Sequence, residues 1–327
     1  MSEHTLAGLR QLLAQPASSN LWWSCLDLLK QAKPEEQTIL RDYLLNYVQL
    51  ESSWDLARVP CGDWKARDQR KKLCKVSQHP LEVEGTSEVV EVFCPPGTFR
   101  MGASEGDTDA ESGESPARNV TLTRGFWALS TPVTQGLYAA VVGSTEYDEE
   151  YKTHPVYEVS WFQACEFCNQ LSALEGLEPA YEMEDEEVRW KQEANGYRLP
   201  TEAEWEYMAR AGSTKARYGE LSNIGWSNTG EKNGHPVGEK KPNAWGLYDT
   251  LGNVLEVCWD VWQDKAFATL PDVDPVVWSH PGSTRRVSRG GCWYHDRKHA
   301  RVSSRFNDEV HYTGDNVGFR IVRTGTG

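Results

Sequence analysis

The sequence lacks the features that would place it in a bilayer or on a nucleic acid. Nowhere in its 327 residues is there a run of apolar side chains approaching the roughly 18 that a membrane-spanning helix needs. Basic residues are outnumbered, 34 Lys and Arg against 48 Asp and Glu, for a formal net charge of −14. Without a basic excess to neutralise phosphates, nucleic acid and anionic membrane are excluded as main partners. The opening Met1-Ser2-Glu3-His4 has neither the basic start nor the apolar core of a secretion signal, so a cytoplasmic location is expected. Internal repeats and low-complexity tracts are also missing. The cysteines are scattered, and only Cys165 and Cys168 form a C-x-x-C. No second pair completes a zinc site, and the surrounding Trp161–Leu171 has helical periodicity. These thiols therefore read as buried small hydrophobes.

The composition is otherwise that of a globular chain, with 39% hydrophobic and 25% charged residues. Its 14 Trp and 27 Gly together point to a loop-rich fold, in which large rings pin irregular backbone. Residues 1–75 read as a small helical unit. Leu6, Leu9, Leu12 and Leu13 share one face, as do Ile39, Leu40, Tyr43, Leu44, Tyr47 and Val48. This unit is expected to act as an adaptor for a partner or for self-association. Residues 76–88 are a polar connector, and 89–327 form the main domain.

Within that domain the pattern is one of short strands, turns and isolated helices. Val89–Phe93 alternates like a strand, and Gly125–Leu129 resembles another. Helices are predicted over Thr134–Val142, over Ser160–Leu174 with Ser160 as cap, and over Thr201–Arg210 behind a capping box. The acidic, Gly/Ser-rich Glu105–Glu114 reads as a mobile loop. Arg286–Arg289 and Val317–Val322 look like paired core strands.

Several motifs in this region share an order with one known family. They are Phe99-Arg100-Met101-Gly102, Pro132-Val133-Thr134 with Tyr138, and His154–Trp161. They continue with Tyr197–Tyr207, Asn243–Asp249 and Gly252–Glu256, then Arg289-Gly290-Gly291, Arg301 with Arg305, and Gly318-Phe319-Arg320. In this order they resemble the formylglycine-generating, or sulfatase-modifying-factor, family. The resemblance spans about Val90 to Arg323 and implies an irregular α+β domain of the C-type-lectin-like type. The Arg198–Glu206 block reads as fold stabilisation, with Arg198 paired to Glu202 or Glu204. Trp161, Trp205, Trp245 and Trp293 would wedge loops, and Gly246 and Gly252 would permit turns at positive φ.

The resemblance also shows what has been lost. Oxidising members hold copper on a cysteine pair after the R-G-G-S-x motif, thiolates being soft ligands for Cu(I). Here that segment carries only Cys292, standing where the motif has Ser, so formylglycine generation is not expected. Members that use an iron-binding helical domain need three His from it, and residues 1–89 contain only His4 and His79. His295, His299 and His311 read as loop surface in preference to a transition-metal site. A calcium ion is the cofactor the resemblance implies. Its ligands would come from Asn223 and Ile224 at one site, with Lys232 standing where an acid is wanted, and from Asn253, Val254 and Glu256 at another. The competing reading has Asn253 capping a turn and Glu256 pairing with an arginine.

The same fold serves as a recognition scaffold, including in variable proteins diversified by retroelements. Their variable positions lie just before the G-F-R strand. In this chain Tyr294, His295, Asp296, Lys298, His299, Phe306, Asn307, Asp308, Glu309, His311, Tyr312, Asp315 and Asn316 occupy that region. Such side chains offer contact area and adaptable hydrogen bonds. The expected function is therefore binding of a protein or small-molecule ligand at the C-terminal loops, without formylglycine-generating activity. An oxygen-dependent iron or copper oxidase of unknown substrate is the alternative.

Overall fold

The computed structural model describes residues 78–81, 89–143, 149–230 and 234–324. The helical unit expected over 1–75, most of the connector and Lys232 lie outside the described residues. Among the described residues, no helix is long and apolar enough to cross a membrane.

Capping chemistry sets the helix boundaries. Thr134 accepts the N–H of Leu137 at 3.2 Å and opens α1 (Gln135–Val142), which Gly143 ends at φ 72°. Ser160 opens α2 (Trp161–Leu174) and Thr201 opens α3 (Glu202–Arg210). In each, the third helical residue, Gln163 or Glu204, accepts the cap's own N–H. The short α4 (Leu221–Ile224) follows.

The strands form two main sheets and two hairpins. One sheet runs in the order β1 (Gln78–Leu81), β2 (Val89–Cys94), β5 (Phe126–Leu129), β13 (Val322–Thr324) and β8 (Tyr197–Arg198), all antiparallel. Its alternating side chains separate two apolar clusters: Val92, Cys94, Phe126 and Ala128 enter one, Leu129 the other. The second sheet runs β11 (Arg305–Glu309), β10 (Arg285–Arg289), β9 (Leu255–Val261) and β12 (Val317–Gly318). β3 (Gly97–Met101) pairs with β4 (Arg118–Leu122), and β6 (Tyr181–Glu184) with β7 (Glu187–Trp190).

Two sequence expectations are corrected. Arg286–Arg289 and Val317–Val322 do not pair with each other, because β9 lies between β10 and β12, and Val322 belongs to the other sheet. The acidic 105–114 segment is not a free loop, because its end turns inward. Glu114 is buried and grips Arg301 with both carboxylate oxygens at 2.6 Å, while Asp107 meets the same guanidinium at 2.9 Å. Trp161, Trp205, Trp245 and Trp293 are all buried, and Gly246 and Gly252 sit at φ 96° and 84° as the turns require.

Every residue of α3 is buried, although three are glutamates. A buried carboxylate is costly without a paired, hydrogen-bonded cation, and each of these has one. Glu204 takes Arg198 at 2.7 Å through both oxygens, and Glu202 takes Arg305 at 2.6 and 2.9 Å. Glu206 is shared between Arg210 of the same helix and Arg289 of β10. Arg289 also donates to the carbonyls of Ser304 and Val302, the latter at 3.1 Å, so one guanidinium ties α3, β10 and the strand entry at 302–304. Arg289→Ala takes one of two guanidinium partners from buried Glu206 and leaves the Ser304 and Val302 carbonyls without theirs, and should cost about 3 kcal/mol in denaturant unfolding. The exposed Arg124–Glu193 pair provides the control, and Arg124→Ala should barely move the midpoint. Equal effects would show that burial of the pair is not what counts.

Candidate functional site

The C-terminal loops rest on a frame of backbone carbonyls held by arginines. After β10, Gly290 and Gly291 adopt φ 93° and 78° and turn the chain, leaving Cys292 and Trp293 buried. Trp293 donates its N–H to the Asn253 carbonyl at 2.8 Å and accepts from the Thr229 N–H at 3.1 Å. Arg217 donates to the carbonyls of Arg297 at 2.6 Å and Ala300 at 2.9 Å, and Arg301 to that of Lys298 at 2.6 Å. Each charge-assisted bond removes backbone freedom from the 291–301 loop.

On this frame the predicted surface residues separate into layers. Tyr294, Asp296, Lys298, His311, Tyr312 and Asp315 are exposed, as is Glu309, while His295, His299, Phe306, Asn307 and Asp308 are half-buried. His295 stacks on Phe306 with ring centroids 4.9 Å apart, and His299 lies 5.7 Å from each of these rings. Tyr294 covers His295 at 4.9 Å and Trp293 at 4.9 Å, making a continuous aromatic cluster. Asp308 accepts the Ser288 hydroxyl at 2.5 Å, and Asn307 accepts from Arg285 at 2.8 Å. His311 stands apart, against Phe162 at 5.1 Å and Glu186 at 3.4 Å. Asn316 is not on the face at all. It is buried, its carbonyl accepting from Leu255 at 2.8 Å and its side-chain oxygen facing the Tyr312 hydroxyl at 3.3 Å. A cavity of about 490 Å³ lined by Asp109, Arg217, Glu220 and Asp296–Lys298 borders the face.

Burial shapes the chemistry here. It pushes the Cys292 thiol up to about 11, so the thiol stays protonated at neutral pH. Burial, followed by the neighbouring His299, lowers His295 to about 4, so its imidazole is neutral. Burial also raises the Tyr294 hydroxyl, followed by the influence of Cys292, Tyr312, Asp315 and Asp308, which gather around it.

The residues named for calcium are tightly bonded within the fold. Asn253, at φ 61°, clasps the His235 backbone, accepting its N–H at 2.9 Å and donating to its carbonyl at 3.0 Å. Glu256 takes Arg320 at 2.9 and 2.7 Å and the Trp205 indole N–H at 2.7 Å. Asn223 is exposed and Ile224 buried, their carbonyls accepting from the Lys241 N–H at 2.8 Å and the Tyr218 hydroxyl at 3.4 Å. Gly252 is required between these groups: a Cβ there would stand 1.9 Å from the Trp226 carbonyl. Asp249 escaped the sequence reading although it closes the quoted Asn243–Asp249 block. It is buried, one oxygen accepts Gly238 at 2.7 Å, and the other has no partner. Burial, with Glu256 adding repulsion, pushes it up to about 6. Among the described residues no three His, Cys, Asp or Glu side chains converge as a metal cluster.

Comparison with known proteins follows the same outline. The family model for the sulfatase-modifying factor enzyme 1-like domain matches residues 77–325. Chaperone protein LppX of Paenibacillus barcinonensis is 32% identical over 245 residues, covering 63% of this chain and 82% of that protein. The formylglycine-generating enzyme of Thermomonospora curvata is 31% identical over 281 residues, covering 70% and 91%. The solved structure of Treponema denticola variable protein 1 superimposes with a TM-score of 0.65 at 28% identity, over 75% of this chain and 98% of that one.

Two measurements check the electrostatics. The His295 ring should titrate near pH 4 by NMR, and His299→Gln should move that midpoint upward, towards the ordinary histidine range. Since the folded state favours neutral His295, its contribution to stability is full above the unfolded value of about 6.5 and declines as pH falls towards 4. Separately, peptide mapping after brief iodoacetamide treatment should leave Cys292 unmodified in the native protein and modified after denaturation. Rapid native labelling would contradict its burial.

Proposed function

The chain belongs to the sulfatase-modifying factor enzyme 1-like family, and from that membership we propose that it is a binding member whose C-terminal loops recognise a protein or small-molecule ligand. The observation that carries this reading is the aromatic cluster around Tyr294, His295 and Phe306, displayed on arginine-pinned backbone where the Cys292 thiol is buried and protonated. Tyrosine supplies large contact area for little lost rotamer freedom, and a preset frame lowers the ordering cost of association. Exposed Tyr294 and Tyr312 are the contact anchors. Asp296, Lys298 and Asp315 supply charge selection at the margin. Similarity to Treponema denticola variable protein 1 supports the same use of the scaffold. The reading includes no formylglycine-generating step, since Cys292 has no neighbouring thiol among the described residues with which to hold copper.

Calcium belongs to this proposal as a structural ion. The unpartnered Asp249 oxygen is the feature that fits it, with Asn253 and Val254 on the adjoining turn, whereas Glu256 already has Arg320 and Trp205 on its oxygens. Bound there, the ion would supply positive charge to one buried acid and hold the 249–256 turn.

One pair of experiments tests function and ion together. A photo-crosslinking residue placed at Tyr294 or Tyr312 should give discrete adducts in extracts of the source cells, whereas one at exposed Leu174 should not. Metal content of the purified protein should show calcium that is lost in Asp249→Asn. Stoichiometric copper or iron, lost on changing Cys292, His295 or His299, would instead establish the oxidase alternative and sink the binding reading.

A further inference from the structure

A second concavity shares no lining residue with the candidate face. It is a cavity of about 350 Å³ between the β4–β5 turn at Thr123–Gly125, the Trp190–Glu193 segment and residues 274–278. Trp190 and Trp278 line it side by side, with centroids 5.5 Å apart and rings inclined at 34°. Trp278 is 47% exposed, and nearby Val273 is 52% exposed. Large apolar side chains held open to water beside a cavity mark a binding site more often than a structural need.

The polar groups at this cavity narrow the ligand. Arg198 is buried in the wall, 4.8 Å over the Trp190 ring, with both terminal nitrogens on Glu204 at 2.7 Å. Its Nε–H has no acceptor, and neither has the indole N–H of Trp190. Both nitrogens are closed off from solvent, so the polar groups that a ligand meets are those at the rim. At the rim Asp274 holds the left-handed φ of 42°, and the Thr123 N–H at 2.8 Å and hydroxyl at 2.5 Å fix its carboxylate. Strained side-chain positions of this kind persist where the surroundings impose them. Arg124 and Glu193 face each other as a two-pronged pair at 3.0 and 3.1 Å.

Charge decides between ligand classes. The two arginines are each matched to a glutamate, and Asp274 is left over, so the lining carries a slight negative excess. An anion would meet repulsion, and a flat apolar ring would bring no donor to the rim carboxylates. A neutral sugar ring satisfies both conditions. Its C–H face packs on an indole, and its equatorial hydroxyls donate to carboxylates.

We propose that this cavity is a saccharide-binding site, in which Trp278, backed by Trp190, carries the C–H face of a neutral sugar ring, and Asp274 and Glu193 accept from its hydroxyls. The volume lies at the small end of ligand sites and suits a mono- or disaccharide unit. The site does not depend on the function proposed for the C-terminal face.

The test uses the full chain on an array of neutral and acidic glycans, followed by tryptophan-fluorescence titration with the free neutral glycans that bind. The expected result is binding of neutral glycans, weakened about tenfold by Trp278→Ala and unchanged by Tyr294→Ala. Asp274→Asn, which keeps the side chain's size, should weaken it too, so a folding defect in one variant does not decide the outcome. Four results would overturn the proposal: no neutral glycan bound, equal binding in both cavity variants, loss of binding in Tyr294→Ala, or preference for the planar anion indole-3-acetate as a competitor.

Discussion

The pairing of buried arginines with buried carboxylates around α3 is the constraint on which the rest of this structure depends. A helix submerged on every side and carrying Glu202, Glu204 and Glu206 is viable only if cations reach it from elsewhere in the chain. Two come from far away in sequence, Arg305 from β11 and Arg289 from β10, while Arg198 of β8 stands just ahead of the helix it serves. Arg320 on Glu256 and Arg301 on Glu114 extend the same chemistry outward. A guanidinium has more donors than its carboxylate can use, and Arg289, Arg301, Arg305 and Arg320 send part of the surplus to backbone carbonyls. That is how a domain with short strands keeps long irregular connections in place.

The candidate face is a consequence of this arrangement. Arg301 spends part of its donor set on Glu114 and Asp107 and part on the Lys298 carbonyl. The 291–301 loop is therefore anchored from beneath, and its outward side chains are not needed to hold it. Tyr294, Asp296 and Lys298 contribute little to the fold and are free to meet a partner. Inward-facing residues show the opposite: Cys292 and Asn316 are committed to the interior, which removes the thiol from surface chemistry. The saccharide cavity uses the same framework differently, since the Arg198–Glu204 pair that closes α3 also forms part of its wall.

Much of this was legible from residue order. The capping residues Thr134, Ser160 and Thr201 marked three helix starts, because a side-chain oxygen three residues before an unpaired N–H is a local signal. Gly246 and Gly252 marked turns for the same local reason. Strand partnership was not legible. β10 and β12 both read as strands near the chain's end, yet β9 separates them, because pairing is decided by distant segments competing for one edge. The acidic loop departs from its composition for a related reason: acidic residues signal solvent, and the arrival of Arg301 makes Glu114 a buried residue.

The family, the helix limits and the turns follow from short-range spacing and ordered motifs, and could be read along the chain. Which arginine serves which glutamate, that Glu256 answers Arg320, and that Asp249 keeps a carboxylate oxygen unmatched emerge from the packing of the whole domain. It also brought Trp190 and Trp278 to one cavity, and placed Glu111 near His299 and Glu186 near His311. The reason is physical. Propensity and capping act over three or four residues, whereas charge pairing, burial and cavities depend on distances between segments that are mostly far apart in the chain, which no local pattern encodes.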